Sequence, residues 1–394
     1  MQYNFTSLPD RQGTGSRKWQ QMLKEYPEGA GDIIPLSVAD MEFQSAPEII
    51  EGLRSYLREA VLGYSVQYPV QLQAVCQWLK RKHHYEIDPA WIVSTPGVVN
   101  AFTGAIRAFS EKGDGVILFR PAYPPMGEAI KNSNRKEINI PLINNESSYT
   151  IDFEDFAKKA KEPENKILLF CSPHNPTGRV WTREEVEKTA KIALENNLVI
   201  ISDEIWNDIV YKNHSHTITA SISEEVENIT ITLTAPSKTF NIAGLMCSNI
   251  IISNPELRKK FQKTILNMCN DTVNALGYKA CEIAYTKAWP WVEEMISVVE
   301  KNAQIMGDFC KKWNIPYSKP EGTYIFWADF RGLGMNETEL EDFMKNKAHF
   351  FTSQGYTFGE EGKGYERINI ALPTAALKAQ LGSLEKALTL KVKR

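Results

Sequence analysis

A chain of 394 residues is too long for one ordinary hydrophobic core, so two domains are expected. Its 45 basic and 48 acidic side chains leave a net charge of −3 with no basic tract, which argues against nucleic acid and anionic membrane as partners. The longest apolar runs, such as Leu198 to Ile201, are too short to span a bilayer.

Met1 to Thr6 carry no basic stretch leading into an apolar core, so no secretory signal is expected. The cysteines at 76, 171, 247, 269, 281 and 310 lack CxxC spacing. They read as buried thiols of a reducing, cytoplasmic compartment. The six histidines show no HExxH-type metal spacing, and His83-His84 reads as the exposed end of a helix.

Residues 1 to 30 form a polar arm with one expected helix near Trp19 to Tyr26. An extended segment follows, Ile34 to Phe43, carrying Ala39 and Asp40. Ser45 and Glu48 have the spacing of a capping box, with Pro47 suited to a first helical turn. A second helix is expected from about Val70 to Lys82. Strand and helix then alternate. Strands are expected at Trp91 to Ser94, Gly115 to Phe119, Lys166 to Cys171, Leu198 to Ser202, Asn228 to Thr234 and Ser248 to Ser253. Helices are expected from Val98 to Phe109 and, behind a Thr182/Glu185 capping box, to about Asn196. Continuous apolar strands alternating with amphipathic helices indicate an α/β protein whose mainly parallel sheet is covered on both faces. A long helix from about Pro290 to Trp313 leads out of this unit. The last eighty residues mix strands (Tyr324 to Phe330, Phe350 to Ser353, Arg367 to Ala371) with helices (Glu339 to Asn346 and the C-terminal one).

The chemistry-bearing residues follow strands, and in open α/β sheets the ligand crevice lies at the strands' carboxyl ends. Lys238 ends a buried strand, where poor solvation favours its neutral amine, able to attack an aldehyde. Asp203 ends another and suits pairing with a pyridinium nitrogen. Asn175, in Asn-Pro-Thr-Gly, can donate to a phenolate oxygen, and Tyr123 can stack on a ring. Gly97, Val98 and Val99 open a helix whose free N–H groups suit a phosphate. A lysine amine, an acid for a ring nitrogen and a phosphate cradle together describe pyridoxal 5′-phosphate (PLP). Arg367, where an apolar strand begins, offers a planar fork for a substrate carboxylate.

Ser172 to Gly178, Ser202-Asp203-Glu204, Ala235 to Leu245 and Arg367 together resemble the fold-type I PLP enzymes of the class I/II aminotransferase group. Val38 to Phe43, Ala122 to Pro125 and Ser237 to Leu245 resemble, within it, the MalY/PatB-like cystathionine β-lyases. The similarity runs from about Ile34 to the last helix. It implies a large PLP domain (46–289) and a smaller α+β domain formed by residues 290–394 with part of the 1–45 arm. Lys238 is then expected to hold PLP and act as base, and Asp203, Asn175 and Tyr123 to take the roles above. Arg367 is expected to bind the substrate carboxylate with the backbone near Ala39 and Asp40. Tyr64 is expected to reach the phosphate of a partner subunit, which implies a homodimer with shared sites. Two positions depart from the pattern. Trp206 stands where a tyrosine or histidine usually faces the cofactor oxygen, and its indole can only donate. Met246 stands where a basic residue often helps hold phosphate. The resemblance implies β-elimination from cystathionine or another cysteine S-conjugate to a thiol, pyruvate and ammonia. The same residues also serve an aminotransferase, and a PLP-binding regulator stays open through Trp206.

Overall fold

The structure, a computed structural model, describes residues 3–26 and 31–392. Expectations for the glycine-punctuated end of the arm, at 27–30, lie outside the described residues. In chain order the first helices are α1 (Arg17–Glu25), α2 (Pro47–Leu57) and α3 (Pro69–His83). Then come β1 (Ile92–Thr95), α4 (Val98–Phe109), β2 (Gly115–Arg120), α5 (Pro124–Asn132) and β3 (Lys136–Pro141). A small hairpin, β4 (Ile143–Asn144) with β5 (Tyr149–Thr150), precedes α6 (Phe153–Ala160), β6 (Asn165–Cys171), α7 (Arg183–Glu195) and β7 (Val199–Asp203). α8 (Glu224–Ile229), β8 (Thr230–Thr234), the single turn α9 (Pro236–Thr239) and β9 (Ser248–Ile251) complete the large sheet.

That sheet has the order β1-β9-β8-β7-β6-β2-β3. All pairs from β8 to β3 are parallel, and β9 runs antiparallel to both β1 and β8. Parallel strands covered on both faces carry apolar side chains on both faces. Ile167 to Phe170 fit, each fully buried, and so do Ile200, Ile201, Ile231 and Leu233. Because β9 reverses and β1 reverses again, the carboxyl ends of β1, β2, β6, β7 and β8 lie on one edge. The turns carrying Gly97, Tyr123, Asn175, Asp203 and Lys238 therefore share that edge.

The chain continues as α10 (Pro255–Asn267), α11 (Ala275–Lys287) and the long α12 (Trp289–Lys312). A second, wholly antiparallel sheet follows in the order β10 (Tyr317–Ser318), β11 (Ile325–Asp329), β13 (Tyr365–Asn369), β12 (Ser353–Gln354). α13 (Glu337–Asp342) and α14 (Thr374–Val392) accompany it. The N-terminal segment joins this sheet: Leu36 N–H donates to Phe351 O (2.7 Å), and Asn369 N–H to Leu36 O (2.8 Å). Among the described residues no helix is long and apolar enough to cross a membrane.

Several expected details differ. Ser45 and Glu48 make no capping box: α2 begins after Ala46 with no side-chain cap, and Glu48 instead accepts the Tyr3 hydroxyl at 2.6 Å. Asn228 and Ile229 belong to α8, not to the Lys238 strand, because Ser223 caps Val226 N–H and three glutamates fill the first turn. The segment Phe350 to Ser353 is mostly non-strand, with β12 only at Ser353–Gln354. His83 is not an exposed helix end: its ring is buried against Asp208 Oδ1 at 2.8 Å, and His84 forms the left-handed cap (φ 52). The Thr182/Glu185 capping box is present with both reciprocal bonds. Five cysteines are buried and Cys269 is exposed.

Candidate active site

A cavity of about 300 Å³ opens at the carboxyl edge of the large sheet. It is lined by Gly97, Val98, Val99, Tyr123, Asn175, Asp203, Trp206 and Lys238, with Ala39 closing one side. Of the expected residues, Arg367 stands just behind, its guanidinium donating to Asn175 Oδ1 at 3.3 Å. Asp40 does not face the cavity; its carboxylate is held by Arg11 (2.7 Å) and Lys18 (3.3 Å). Tyr64 is fully exposed at 107%, so within one chain it contributes nothing to this cavity.

Each side chain is placed by the element that precedes it. Asp203, the last residue of β7, is 2% exposed. Burial pushes its carboxyl up to about 7, against the opposing pull of the Ile205 N–H bond (3.3 Å) and of Lys238. Lys238 sits in the one-turn helix after β8, its Nζ donating to Ala39 O at 2.6 Å and lying 5.5 Å from the Trp206 ring centre. Burial lowers its ammonium to about 8, assisted by the positive Arg367. Arg367, in the middle of β13, is 5% exposed and also donates to Ser353 Oγ (3.2 Å). Burial lowers it to about 10. Among the described residues no carboxylate makes a direct ion pair with Lys238 or Arg367, although the charges of Asp40 and Asp203 act on Lys238 from a distance. Gly97 (φ 93) turns the chain from β1 into α4, and no side chain caps that helix. Its first N–H groups, with their share of the helix dipole, therefore face the cavity free for an anion.

The backbone beside Lys238 is strained. Val38 has φ 49, a left-handed conformation that a β-branched residue rarely adopts. Asn369 Nδ2 holds the bend by donating to Val38 O (2.8 Å) and Asp40 O (2.6 Å), and buried Lys18 donates to Asp40 O (2.9 Å). The result turns Ala39 O toward two donors, Lys238 Nζ and the Tyr324 hydroxyl (3.0 Å). Trp206 packs edge-on to Tyr324, ring centres 4.7 Å apart.

Sequence reasoning missed Asn369, Tyr324, Ser353 and Lys18. Asn369 was findable: on a strand it shares a face with Arg367, two residues earlier. The others come from distant segments and leave no local pattern.

An α/β sheet with a lysine, an acid and an open helix N-terminus on one edge defines a class of cofactor-dependent enzymes, and the comparisons agree. Residues 31–384 match the aminotransferase class I and II family, and the chain belongs to it. Among its relatives are cystathionine beta-lyase PatB of Bacillus subtilis, 35% identical over 98% of this chain and 100% of PatB, and protein MalY of Escherichia coli, 30% identical over 98% and 99%. Cystalysin from Treponema denticola, solved with a pyridoxal 5′-phosphate cofactor, superposes with a TM-score of 0.97 at 45% identity, covering 99% of each chain.

Proposed function

We propose that this chain is a PLP-dependent carbon–sulfur β-lyase, which cleaves cystathionine or another cysteine S-conjugate with water into a thiol, pyruvate and ammonia. The observation that carries the reading is the set of charges around the cavity. An amine lowered to about 8, a buried acid raised to about 7, an uncapped helix N-terminus and an arginine with no carboxylate ion pair converge there. Those are the complements of an aldehyde, a ring nitrogen, a phosphate and a substrate carboxylate. Lys238, Asp203, the Gly97-Val98-Val99 turn, Tyr123 and Asn175 would hold PLP. When bound, PLP supplies an electron sink for the charge left on the substrate α-carbon.

The chain's residues do the rest. Arg367 takes the α-carboxylate through its fork, with Asn175 Oδ1 fixing one edge of the guanidinium at 3.3 Å. That anchor sets which bond of the α-carbon faces the Lys238 amine. Lys238 is the base for the α-proton; lowered to about 8, it offers a far larger share of free amine near neutrality than an ordinary lysine does. Ala39 O, 2.6 Å from Nζ, accepts a hydrogen bond from Lys238 and keeps its amine near the reacting centre. Trp206 and Tyr324 exclude water from that side. We further infer a large unit of residues 46–289, a smaller one of 290–394 with part of the 1–45 arm, a homodimer to which Tyr64 contributes in trans, and a cytoplasmic location. Support for the dimer comes from exposed Val61 (90%), Leu62 (65%), Tyr64 and Val66 (77%) on one loop.

The testing experiment gives the purified PLP-loaded protein L-cystathionine without any 2-oxo acid and measures pyruvate. Many turnovers per subunit are expected. No pyruvate, with turnover appearing only when a 2-oxo acid is supplied as amino-group acceptor, would make the enzyme an aminotransferase. Tight PLP binding without turnover on any thioether amino acid would point to a regulator.

A further inference from the structure

The turn that carries Tyr123 grips the loop that carries the ring behind Arg367, and it does so through one carbonyl. Arg120 is the last residue of β2. Its Nε and Nη2 hold both carboxylate oxygens of Glu137 on β3, with Nη2 at 2.8 Å from Oε2. Its remaining nitrogen, Nη1, donates to Phe358 O at 2.7 Å, and Ala122 N–H donates to the same oxygen at 3.0 Å. The guanidinium is closely caged. A Cβ on Gly127 would come within 2.4 Å of Nη2, and one on Gly359 within 2.7 Å of Cδ. Gly359 also has φ 121, which L side chains rarely adopt.

What the carbonyl holds in place is the Phe358 ring. That ring is 1% exposed, packs edge-on to Trp327 at 5.5 Å and lies 4.9 Å from the Arg367 guanidinium carbon. Asn175 and Ser353 fix the edges of the Arg367 fork; Phe358 fixes its face. A fork binds a carboxylate through both N–H groups only when its plane is aligned, and a displacement near 1 Å costs up to about a hundredfold.

We propose that Arg120 is a positioning residue for carboxylate recognition: by holding Phe358 O it fixes the ring that sets the plane of Arg367. This rests on the role given to Arg367 above. Glu137 anchors Arg120 but does not touch Phe358. Lysine at 120 could reach Glu137 or Phe358 O with one group, not both with a fork.

The test uses PLP-loaded enzyme and two probes that differ by one carboxylate, L-alanine and ethylamine, each titrated by the shift of the cofactor absorbance band. Arg120→Met is expected to weaken L-alanine about tenfold and ethylamine less than about twofold, a fraction of the misplacement limit because Ala122 N–H still holds the carbonyl. Arg120→Lys falls between, and so does Glu137→Gln, which loosens the anchor of Arg120 but leaves its Nη1 able to reach Phe358 O. If Arg120→Met does not fold, Arg120→Lys is read by the same ratio. Equal losses for both probes, or none, would overturn the inference. Arg367→Met separates the two levels of argument. It must erase the preference for L-alanine. If the preference survives there, the role of Arg367 fails and this inference with it. If it is erased there but intact in both Arg120 variants, only the role of Arg120 falls.

Discussion

Lys238 and Asp203 are both held away from their ordinary titration range by burial, and each shift has a measurable sign. The neutral amine is the form that attacks an aldehyde. With Lys238 lowered to about 8, PLP capture by cofactor-free protein should accelerate with pH and level off above about 8. An ordinary lysine, near 10.4, would keep accelerating past pH 10. The groups acting on Lys238 are Arg367 on β13, Asp40 beside Ala39, Asp203 on β7 and Lys18 on α1. Arg367 is the strongest of these charges, so Arg367→Met should move the plateau to higher pH, followed by absorbance in a stopped-flow series. Asp203 has the opposite sign. Its folded value, about 7, lies above the unfolded one, so ionisation favours the unfolded chain. The cost is absent below about pH 4, grows up to about 7 and is constant beyond. Asp203→Asn should therefore stabilise cofactor-free protein at pH 8 by on the order of 4 kcal/mol, with no gain at pH 4. The same variant should lose PLP affinity, since an amide cannot stabilise a protonated ring nitrogen. A thermal melt that rises equally at both pH values would remove Asp203 from the role of strained acid.

The turn from β1 into α4 shows how an element's end makes a site. Gly97 adopts φ 93, and a Cβ there would lie 3.3 Å from Met246 Cε. Gly97→Ala should cost stability by ~1–2 kcal/mol through backbone strain and tilt the first N–H groups of α4 off the phosphate position. The expected result is about tenfold weaker PLP binding with the absorbance band of the bound cofactor unchanged, checked by equilibrium dialysis. Unchanged affinity would place the phosphate elsewhere. Elements of this kind differ in how far they can be read from sequence. β6 and β7 are legible because strands buried on both faces are apolar without interruption, as Ile167 to Phe170 are. α7 is legible because Thr182 and Glu185 satisfy local N–H groups. β3, Lys136–Pro141, is not, since an edge strand carries charge and an incomplete alternation. The start of the Lys238 strand misleads because Asn228 and Ile229 continue a β-branched run while Ser223, six residues away, caps a helix through them. The site divides the same way. Lys238, Asp203 and Asn175 follow strands and can be found one at a time. The Val38 bend, the Lys18 tether and the Arg120–Phe358 contact join segments up to hundreds of residues apart, and nothing local marks them.

At the scale of the molecule, the exposed loop before α3 bears on whether one chain makes a whole site. The loop with Val61, Leu62, Tyr64 and Val66 exposes apolar side chains that a lone subunit has no reason to keep in water. Two-fold pairing of such a loop would bury it against the same element of a second copy, and each Tyr64 would then serve its neighbour's cavity. Complementation tests this directly. Lys238→Ala removes the base from its own site, and Tyr64→Ala removes the hydroxyl from the other subunit's site. When the two variants are co-expressed in equal amounts, half the dimers are mixed. In a mixed dimer, trans action puts both defects in one site and leaves the other intact. About a quarter of wild-type activity should therefore return at limiting PLP, where each variant alone is silent. If Tyr64 instead acts within its own chain, every site in the mixture carries one defect and no activity returns. Sedimentation of the wild-type protein supplies the companion measurement: a monomer at assay concentration would end the shared-site reading whatever the activities show.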